Sequence, residues 1–136
     1  MYPEQVVLPM KAELTNAGFE DITNADAAQE AIQTKGTVLM VVNSVCGCAA
    51  GMARPGVIAS LQSAIKPTRL CTVFAGFDVE AVQKVRENTL PYPPSSPSIA
   101  LFKDGQLVHM IERHNIEGHA ASSIAQSLAL AYQEHC

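Results

Sequence analysis

Basic clusters and long hydrophobic runs are both absent from this 136-residue sequence. Charged residues make up only 16%, and the 9 basic and 13 acidic side chains are scattered along the chain, for a formal net charge of −4. Without a basic stripe or a basic amphipathic segment, the sequence argues against a nucleic-acid partner and against attachment to a membrane surface. The longest aliphatic run, Val38 to Val42, is far too short to span a bilayer.

Cysteines are few, and the features of a secretory signal are missing. The first residues, Met1 to Gln5, lack the basic start and the long apolar stretch of a signal peptide, so we expect a cytoplasmic protein whose thiols are kept reduced. The four cysteines, at positions 46, 48, 71 and 136, are too few and too unevenly spaced for a disulfide framework. In a reducing compartment, the close pair Cys46 and Cys48 indicates catalysis or metal binding rather than a structural bridge.

The length and the 48% hydrophobic content predict one globular domain, residues 1–136, with a core large enough to fold unaided. The first two helices are predicted over residues 9–18 and from a capping box at 23–26 to just before Gly36. Two more are predicted over 49–65, with a bend at Pro55-Gly56, and over 78–88. The last helix is predicted from the apolar face that runs from Ile124 to Tyr132. Strands are predicted over residues 19–22, 37–43, 70–75, 98–102 and 106–111.

The order of these elements predicts an α/β fold. Helices that connect successive strands imply parallel strands at the centre of a sheet, and the sequence Lys-Asp-Gly at residues 103–105 marks a hairpin that adds an antiparallel edge. Residues 90–97 hold four of the eight prolines and must form a loop.

Cys46 and Cys48, one glycine apart, follow the buried strand and open the next helix. The carboxyl end of such a strand is where open α/β sheets carry their sites. A thiol at a helix N-terminus faces unpaired N–H groups, which stabilise the thiolate and lower its pKa. Because Cys46 precedes the helix, we expect it to be the more exposed thiol and the nucleophile, and we expect Cys48 to attack the mixed disulfide that results.

Gly47 permits the tight backbone that a disulfide between residues i and i+2 needs. Such a bridge is strained and easily reduced, which favours the dithiol form. Two other interpretations stay open. The cysteines could be two small buried residues at a turn, or two metal ligands. Structural zinc needs four ligands, and His109, His114 and His119, spaced every five residues, do not present one helical face.

The chain resembles the thioredoxin fold over nearly its whole length. The features that carry this resemblance are the cysteine motif that opens a helix, the Ser-Pro before a strand, and the last helix. That fold has three layers, with a central mixed β-sheet flanked by helices. More narrowly, several segments are similar to the bacilliredoxin family, namely residues 42–51, 53–55, 94–98, 113–114 and 116–119.

The resemblance implies reduction of mixed disulfides between protein cysteines and bacillithiol, a low-molecular-weight thiol, and disulfide isomerase activity has also been ascribed to relatives. Cys46 would attack and Cys48 would resolve. No bound cofactor is implied, since bacillithiol or another small thiol serves as co-substrate. The partners are then S-thiolated or disulfide-containing proteins, together with the small thiol and its reductase.

The resemblance also implies a substrate-binding surface around the cysteines. Pro97 matches the cis-proline of the thioredoxin fold, which faces the cysteines and binds an extended substrate backbone, and Gly47 and Ser96 belong to the same surface. Arg113 and His114 follow the last strand, where this fold brings a loop towards the active site, and they could bind carboxylates of a small thiol. Ordinary solvated loop residues are an equally good interpretation.

The strand before the cysteines departs from thioredoxin, because residues 38–42 include no carboxylate to help the second thiol lose its proton. Resolution of the mixed disulfide by Cys48 is then expected to be slow, or to use another base. The remaining candidates have ordinary explanations. Cys71 is expected to be buried in a strand, Cys136 to lie at an inert terminus, and Arg54 to serve helix packing or a salt bridge as readily as substrate binding.

Overall fold

The computed structural model describes residues 1–136 as one five-stranded sheet with helices on both faces. The strands are β1 (Glu20–Asp21), β2 (Thr37–Asn43), β3 (Arg69–Phe74), β4 (Ser98–Lys103) and β5 (Gln106–Ile111). The helices are α1 (Glu4–Thr15), α2 (Ala25–Ile32), α3 (Arg54–Ser60), α4 (Val79–Glu87), α5 (Arg113–Ile116) and α6 (Ala121–His135), and a π-helix (Ala49–Ala53) leads into α3. None of these helices combines the length and the apolar character needed to cross a membrane.

The strand order is β1-β3-β2-β4-β5. Strands β1, β2 and β3 run parallel, whereas β4 is antiparallel to both β2 and β5. The hairpin between β4 and β5 turns at Asp104 (φ 49°) and Gly105 (φ 84°), two left-handed residues as a tight hairpin turn needs. The predicted α/β class, the mixed sheet and its antiparallel edge are therefore confirmed.

Strand β2 lies at the centre of the sheet and is buried along its whole length. Its alternate residues feed two separate cores, because successive side chains of a strand point to opposite faces. Val38, Met40 and Val42 pack with residues of α2 and α4, whereas Leu39 and Val41 pack with residues of α3 and α6. The result is the three-layer arrangement of helices, sheet and helices.

Two helix predictions need correction. Pro9 does not lie in the first turn of its helix, because α1 begins at Glu4 after Pro3, and Pro9 occupies an exposed interior position. A carbonyl left without its N–H partner there can bond to water. The helix predicted over 49–65 is also different: it opens as a π-helix and α3 ends at Ser60. Pro55 cannot donate an N–H group to the turn before it, which disturbs the α-helical pattern at this point.

Smaller differences lie at the ends of elements. Strand β1 has only two residues, and the cap of α2 is Asn24, whose side chain accepts a hydrogen bond from the Ala27 N–H at 2.8 Å. Asp78 precedes α4 as predicted, but its carboxylate accepts from the Phe74 N–H and pairs with Lys11 instead of capping the helix. The short helix α5 had no sequence signal strong enough to predict it.

Arg54 is a fully buried charge that joins three elements. Its Nε donates to Glu13 Oε1 of α1 at 3.0 Å. Its Nη1 donates to Asn43 Oδ1 at the end of β2, at 2.9 Å, and to the Ser44 carbonyl, at 2.8 Å. The guanidinium therefore lies directly beneath the segment that leads into the cysteines, and packing with a salt bridge is the interpretation of Arg54 that the structure supports.

We expect Arg54→Met to lower the free energy of unfolding by about 3 kcal/mol, because buried acceptors lose a charged donor. Arg69→Met is the matched control: Arg69 pairs with Glu20 and Glu30 at the surface, where an ion pair contributes only about 0–1 kcal/mol. Urea denaturation followed by circular dichroism measures both changes. Equal losses in the two variants would contradict a special role for the buried guanidinium.

Candidate functional site

Hydrogen bonds of buried residues fix the start of the segment between β2 and the π-helix. Asn43 and Ser44 are buried, and the Ser44 N–H donates to Asn43 Oδ1 at 2.9 Å. The Asn43 amide also donates to the Met10 carbonyl at 3.3 Å, while Arg54 bonds to both residues from the other side. These contacts leave the base of the cysteine segment little freedom to move.

Cys46 and Cys48 lie where the sequence predicts, after the end of β2 and at the start of a helical stretch. The Cys46 carbonyl accepts hydrogen bonds from the N–H groups of Ala49 and Ala50 at 3.1 and 3.2 Å, which makes Cys46 the residue that opens the first turn. The two sulfur atoms are 3.1 Å apart as free thiols. Both side chains are half-buried, so exposure does not separate them as expected.

The two thiols have opposite pKa shifts. Burial raises the pKa of Cys46, but hydrogen bonds from the Ser44 hydroxyl (3.2 Å), the Cys48 thiol and the Ala49 N–H, together with the positive charge of Arg113, more than offset it, so the pKa is lowered. Burial likewise raises the pKa of Cys48, and the adjacent negative charge on Cys46 raises it further. The arrangement therefore favours one thiolate, at Cys46, stabilised by a neighbouring thiol.

Gly47 projects into solvent between the two cysteines. It does not have a positive φ, and a Cβ atom added there would have nothing within 4 Å. The dithiol state therefore makes no steric demand for glycine at this position. The role expected for Gly47 in a disulfide between residues 46 and 48 stays a prediction.

The loop before β4 and the residues after β5 meet beside the cysteines. The Ser96–Pro97 peptide bond is cis, as the resemblance implied, and Leu90–Pro91 is cis as well. Arg113 Nη1 donates to the Ser96 carbonyl at 3.1 Å, which fixes the arginine against this loop. Pro97 itself is buried.

A cavity of about 240 Å³ opens next to Cys46. Of the residues predicted to bind substrate, Ser96 and Arg113 line this cavity, whereas His114 does not. The His114 side chain is 72% exposed and lies 3.7 Å from the Glu112 carboxylate. The remaining lining comes from the residues that directly follow β2 and β3, from α4 and from Tyr2. The full lining is Tyr2, Ser44, Val45, Cys46, Ala75, Gly76, Arg86, Ser96 and Arg113.

Two residues of the site had no role in the sequence interpretation. Glu117 Oε1 lies 4.0 Å from Cys48 Sγ and also accepts a hydrogen bond from Arg113 Nε. It belongs to the segment 116–119 that carries the resemblance, which was the available signal. Arg86 comes from α4 and lines the cavity, and nothing in its local sequence distinguishes it from an ordinary helix-surface arginine.

The other cysteines lie elsewhere. Cys71 is buried in β3, and burial with the nearby negative charge of Glu20 raises its pKa to about 12. Cys136 is exposed at the end of α6. No group of three or more histidine, cysteine or acidic side chains lies together in a way that could hold a metal ion.

These pKa shifts predict the order in which the cysteines react with iodoacetamide. Alkylation needs the thiolate, so Cys46, whose pKa is lowered, should reach its half-maximal rate below the pH of about 8.5 at which an ordinary thiol does. Cys48 should lag behind it, and Cys71 should stay unmodified until the protein unfolds. Peptide mapping by mass spectrometry across a pH series gives each rate. Faster alkylation of Cys48 than of Cys46 at neutral pH would contradict the assignment.

Comparison with known proteins places the chain among thiol–disulfide oxidoreductases. A family model described as disulphide isomerase matches residues 2–136. A bacilliredoxin of Cytophaga hutchinsonii is 60% identical over 134 residues, which are 98% of this chain and 99% of that protein. A bacilliredoxin of Shouchella clausii is 54% identical over 136 residues, which are 99% of this chain and 94% of that protein.

Solved structures independently identify the fold. Mitochondrial thioredoxin 3 from Saccharomyces cerevisiae aligns over 90% of this chain and 98% of its own, with a TM-score of 0.60 and 19% identity. A thioredoxin from Halobacterium salinarum aligns over 88% of this chain and 91% of its own, with a TM-score of 0.62 and 12% identity. The thioredoxin-like fold is thus confirmed, and on the strength of the sequence matches the chain belongs to the bacilliredoxin family of thiol–disulfide oxidoreductases.

Proposed function

We propose that this protein reduces mixed disulfides between protein cysteines and a low-molecular-weight thiol such as bacillithiol, in the cytoplasm. The observation that carries the proposal is the pair of sulfur atoms 3.1 Å apart with opposite pKa shifts. One thiol is ready to attack as the thiolate, and the other keeps its proton until the first has reacted. Two thiols tuned in this way suit consecutive exchange steps.

In the first step, the Cys46 thiolate attacks the sulfur of the small thiol in the mixed disulfide. A bond forms between Cys46 Sγ and that sulfur, the original S–S bond breaks, and the protein cysteine leaves as a thiolate that takes a proton from water. The substrate protein is thereby restored, and the small thiol is carried on Cys46. Attack on the protein-side sulfur is the alternative first step, and it releases the small thiol at once.

In the second step, Cys48 attacks the new disulfide and must lose its proton first. Once Cys46 is bonded to another sulfur it carries no negative charge, so the main electrostatic cause of the raised pKa of Cys48 disappears. Glu117, 4.0 Å from Cys48 Sγ, can accept the proton and thus serve as the base that β2 does not provide. The Cys46–Cys48 disulfide forms, and the small thiol leaves as a thiolate.

The oxidised protein then needs two electrons. We propose that two molecules of the low-molecular-weight thiol supply them. The first attacks the Cys46–Cys48 bond and forms a mixed disulfide with one cysteine, and the second attacks the small-thiol sulfur of that mixed disulfide, so that the cysteine leaves as a thiolate. The disulfide of the two small thiols that results is the substrate of their own reductase. The protein therefore has no bound cofactor, and its partners are S-thiolated or disulfide-containing proteins, the small thiol and that reductase.

Disulfide isomerisation is a second candidate, favoured by the description of the matching family model. An isomerase needs Cys46 to attack and then to be displaced by another cysteine of the same substrate, so it does not depend on Cys48. Recovery of activity from a scrambled-disulfide protein by the Cys48→Ser variant would favour isomerisation. Activity confined to S-thiolated proteins would favour the proposed reduction.

Substitution of each cysteine by serine tests the order of the two steps. Cys46→Ser should be inactive, because a hydroxyl has no accessible anion near neutral pH. Cys48→Ser should still attack a labelled mixed disulfide but remain trapped as an adduct, because the resolving thiol is missing. Mass spectrometry of the whole protein reads both outcomes.

The opposite pattern, with the label on Cys46→Ser and none on Cys48→Ser, would reverse the assigned roles. The same preparations test the rival class of metal-binding module. Zinc or copper retained in stoichiometric amount after dialysis, with no reductase activity, would replace the proposed function. An active metal-free protein would exclude that rival.

Arg113 and His114 are proposed as contacts for an anionic small thiol, and the structure predicts unequal contributions. Arg113→Ala should slow attack on an anionic mixed disulfide about fivefold, because a charge beside Cys46 is lost from a partly exposed position. His114→Ala should have a smaller effect, because its side chain lies outside the cavity. Stopped-flow rates measure both, and unchanged rates in both variants would make these residues ordinary parts of the loop.

A further inference from the structure

Arg86 is the one arginine of this chain without an acidic partner. Of the four arginines, Arg54 pairs with Glu13, Arg69 with Glu20 and Glu30, and Arg113 with Glu117. Arg86 forms no salt bridge, and its Nε atom is buried without any hydrogen-bond partner. A buried donor of a charged group that is left unpaired costs free energy, so its position beside a cavity calls for an explanation.

The Arg86 side chain borders the same cavity as Cys46. Arg86 also lines a second cavity, of about 410 Å³, and Gly76 is the other residue that lines both cavities. Burial lowers the pKa of Arg86, and no neighbouring carboxylate compensates. Arg113, which also lines the Cys46 cavity, has its charge balanced by Glu117. Arg86 is therefore the uncompensated positive charge of this space.

Tyr2 and Gly76, which also line the Cys46 cavity, are packed closely against each other. The Tyr2 N–H donates to the Gly76 carbonyl at 3.1 Å, and a Cβ atom on Gly76 would come within 2.5 Å of the Tyr2 ring. The cavity at Cys46, about 240 Å³, is smaller than the roughly 300–1,000 Å³ of pockets that hold a whole drug-sized ligand. It suits one end of a small molecule rather than a peptide chain.

We propose that Arg86 binds a carboxylate of the low-molecular-weight thiol when Cys46 attacks the mixed disulfide, and keeps it bound while that thiol is attached to Cys46. The inference rests on the proposed function, and it adds Arg86 as the residue that holds the small thiol through a carboxylate reaching into the cavity. A planar guanidinium suits a carboxylate because it can donate two parallel hydrogen bonds. Binding on the small-thiol side directs Cys46 to that sulfur, so the protein cysteine is the leaving group.

The first experiment measures the site without any reductase assay. The parent is Cys48→Ser with Cys136→Ser, in which Cys46 is the reactive thiol. It is alkylated with iodoacetate, which carries a carboxylate, and with iodoacetamide, which is neutral; in both reactions an S–C bond forms and iodide leaves. Arg86→Gln should lower the ratio of the iodoacetate rate constant to the iodoacetamide rate constant about fivefold to tenfold, as expected for loss of a charge-assisted hydrogen bond.

Lys84→Gln is the matched control. It removes the same charge from the same helix, but Lys84 pairs with Glu87 and does not line the cavity. Its ratio should equal that of the parent, and Arg86→Lys should retain part of the preference for iodoacetate. If Arg86→Gln fails to fold, malonate added to the parent at constant ionic strength replaces it. Malonate should slow iodoacetate more than iodoacetamide.

The second experiment identifies which side of the disulfide bears the carboxylate. One peptide is joined either to 3-mercaptopropionate or to 2-mercaptoethanol, and a second pair of peptides carries aspartate or asparagine beside the cysteine. Arg86→Gln should slow exchange only with the 3-mercaptopropionate disulfide. A loss confined to the aspartate peptide would overturn the assignment to the small thiol and give the site to the protein substrate.

The two proposals fail in different ways. An unchanged iodoacetate ratio in folded Arg86→Gln, or no selective effect of malonate, overturns the anion site and leaves the reductase function untouched. A lowered ratio with no exchange activity on any mixed disulfide keeps the anion site and overturns the reductase function.

Discussion

The site depends on a positive charge enclosed in the protein interior. Arg54 bonds at once to the side chain of Asn43 and to the carbonyl of Ser44, and it reaches Glu13 at its outer end. The central strand therefore ends at a fixed point. Ser44 in turn donates its hydroxyl hydrogen to Cys46 Sγ and accepts from the Cys46 N–H at 3.3 Å. The position of the reactive sulfur thus traces back to a guanidinium on the helix that follows it.

The two cysteines differ in reactivity because their immediate surroundings differ. Cys46 receives hydrogen bonds from a hydroxyl, a thiol and the backbone, whereas Cys48 is close to the negative charge of Cys46 and to Glu117. The strand that supplies a carboxylate in thioredoxin is wholly apolar here from Val38 to Val42, since it feeds both cores. The charged groups near the cysteines lie instead outside the sheet: Arg113 in α5, Glu117 directly after it, and Arg86 in α4.

The elements that follow from short-range patterns were predictable. Strand β2 matches its predicted range, and so do β5 and the hairpin turn at Asp104-Gly105, because each is specified by apolar residues and turn residues next to one another in sequence. The position of the cysteines at the start of a helix followed from the same kind of local signal. What could not be predicted depends on distant residues: Arg54 meets Glu13 across 41 positions, and Cys48 meets Glu117 across 69. The π-helix was not predicted, because Pro55 indicates a bend but does not specify the hydrogen-bond pattern of the turn before it.

Gly47 has a further consequence for what can reach the two sulfurs. It stands exposed at the tip between them, with open space where a side chain would begin. No side chain therefore obstructs the approach to the two sulfur atoms from this side. The space open to a substrate beside them is set by the neighbouring loops and not by the residue that separates the two cysteines.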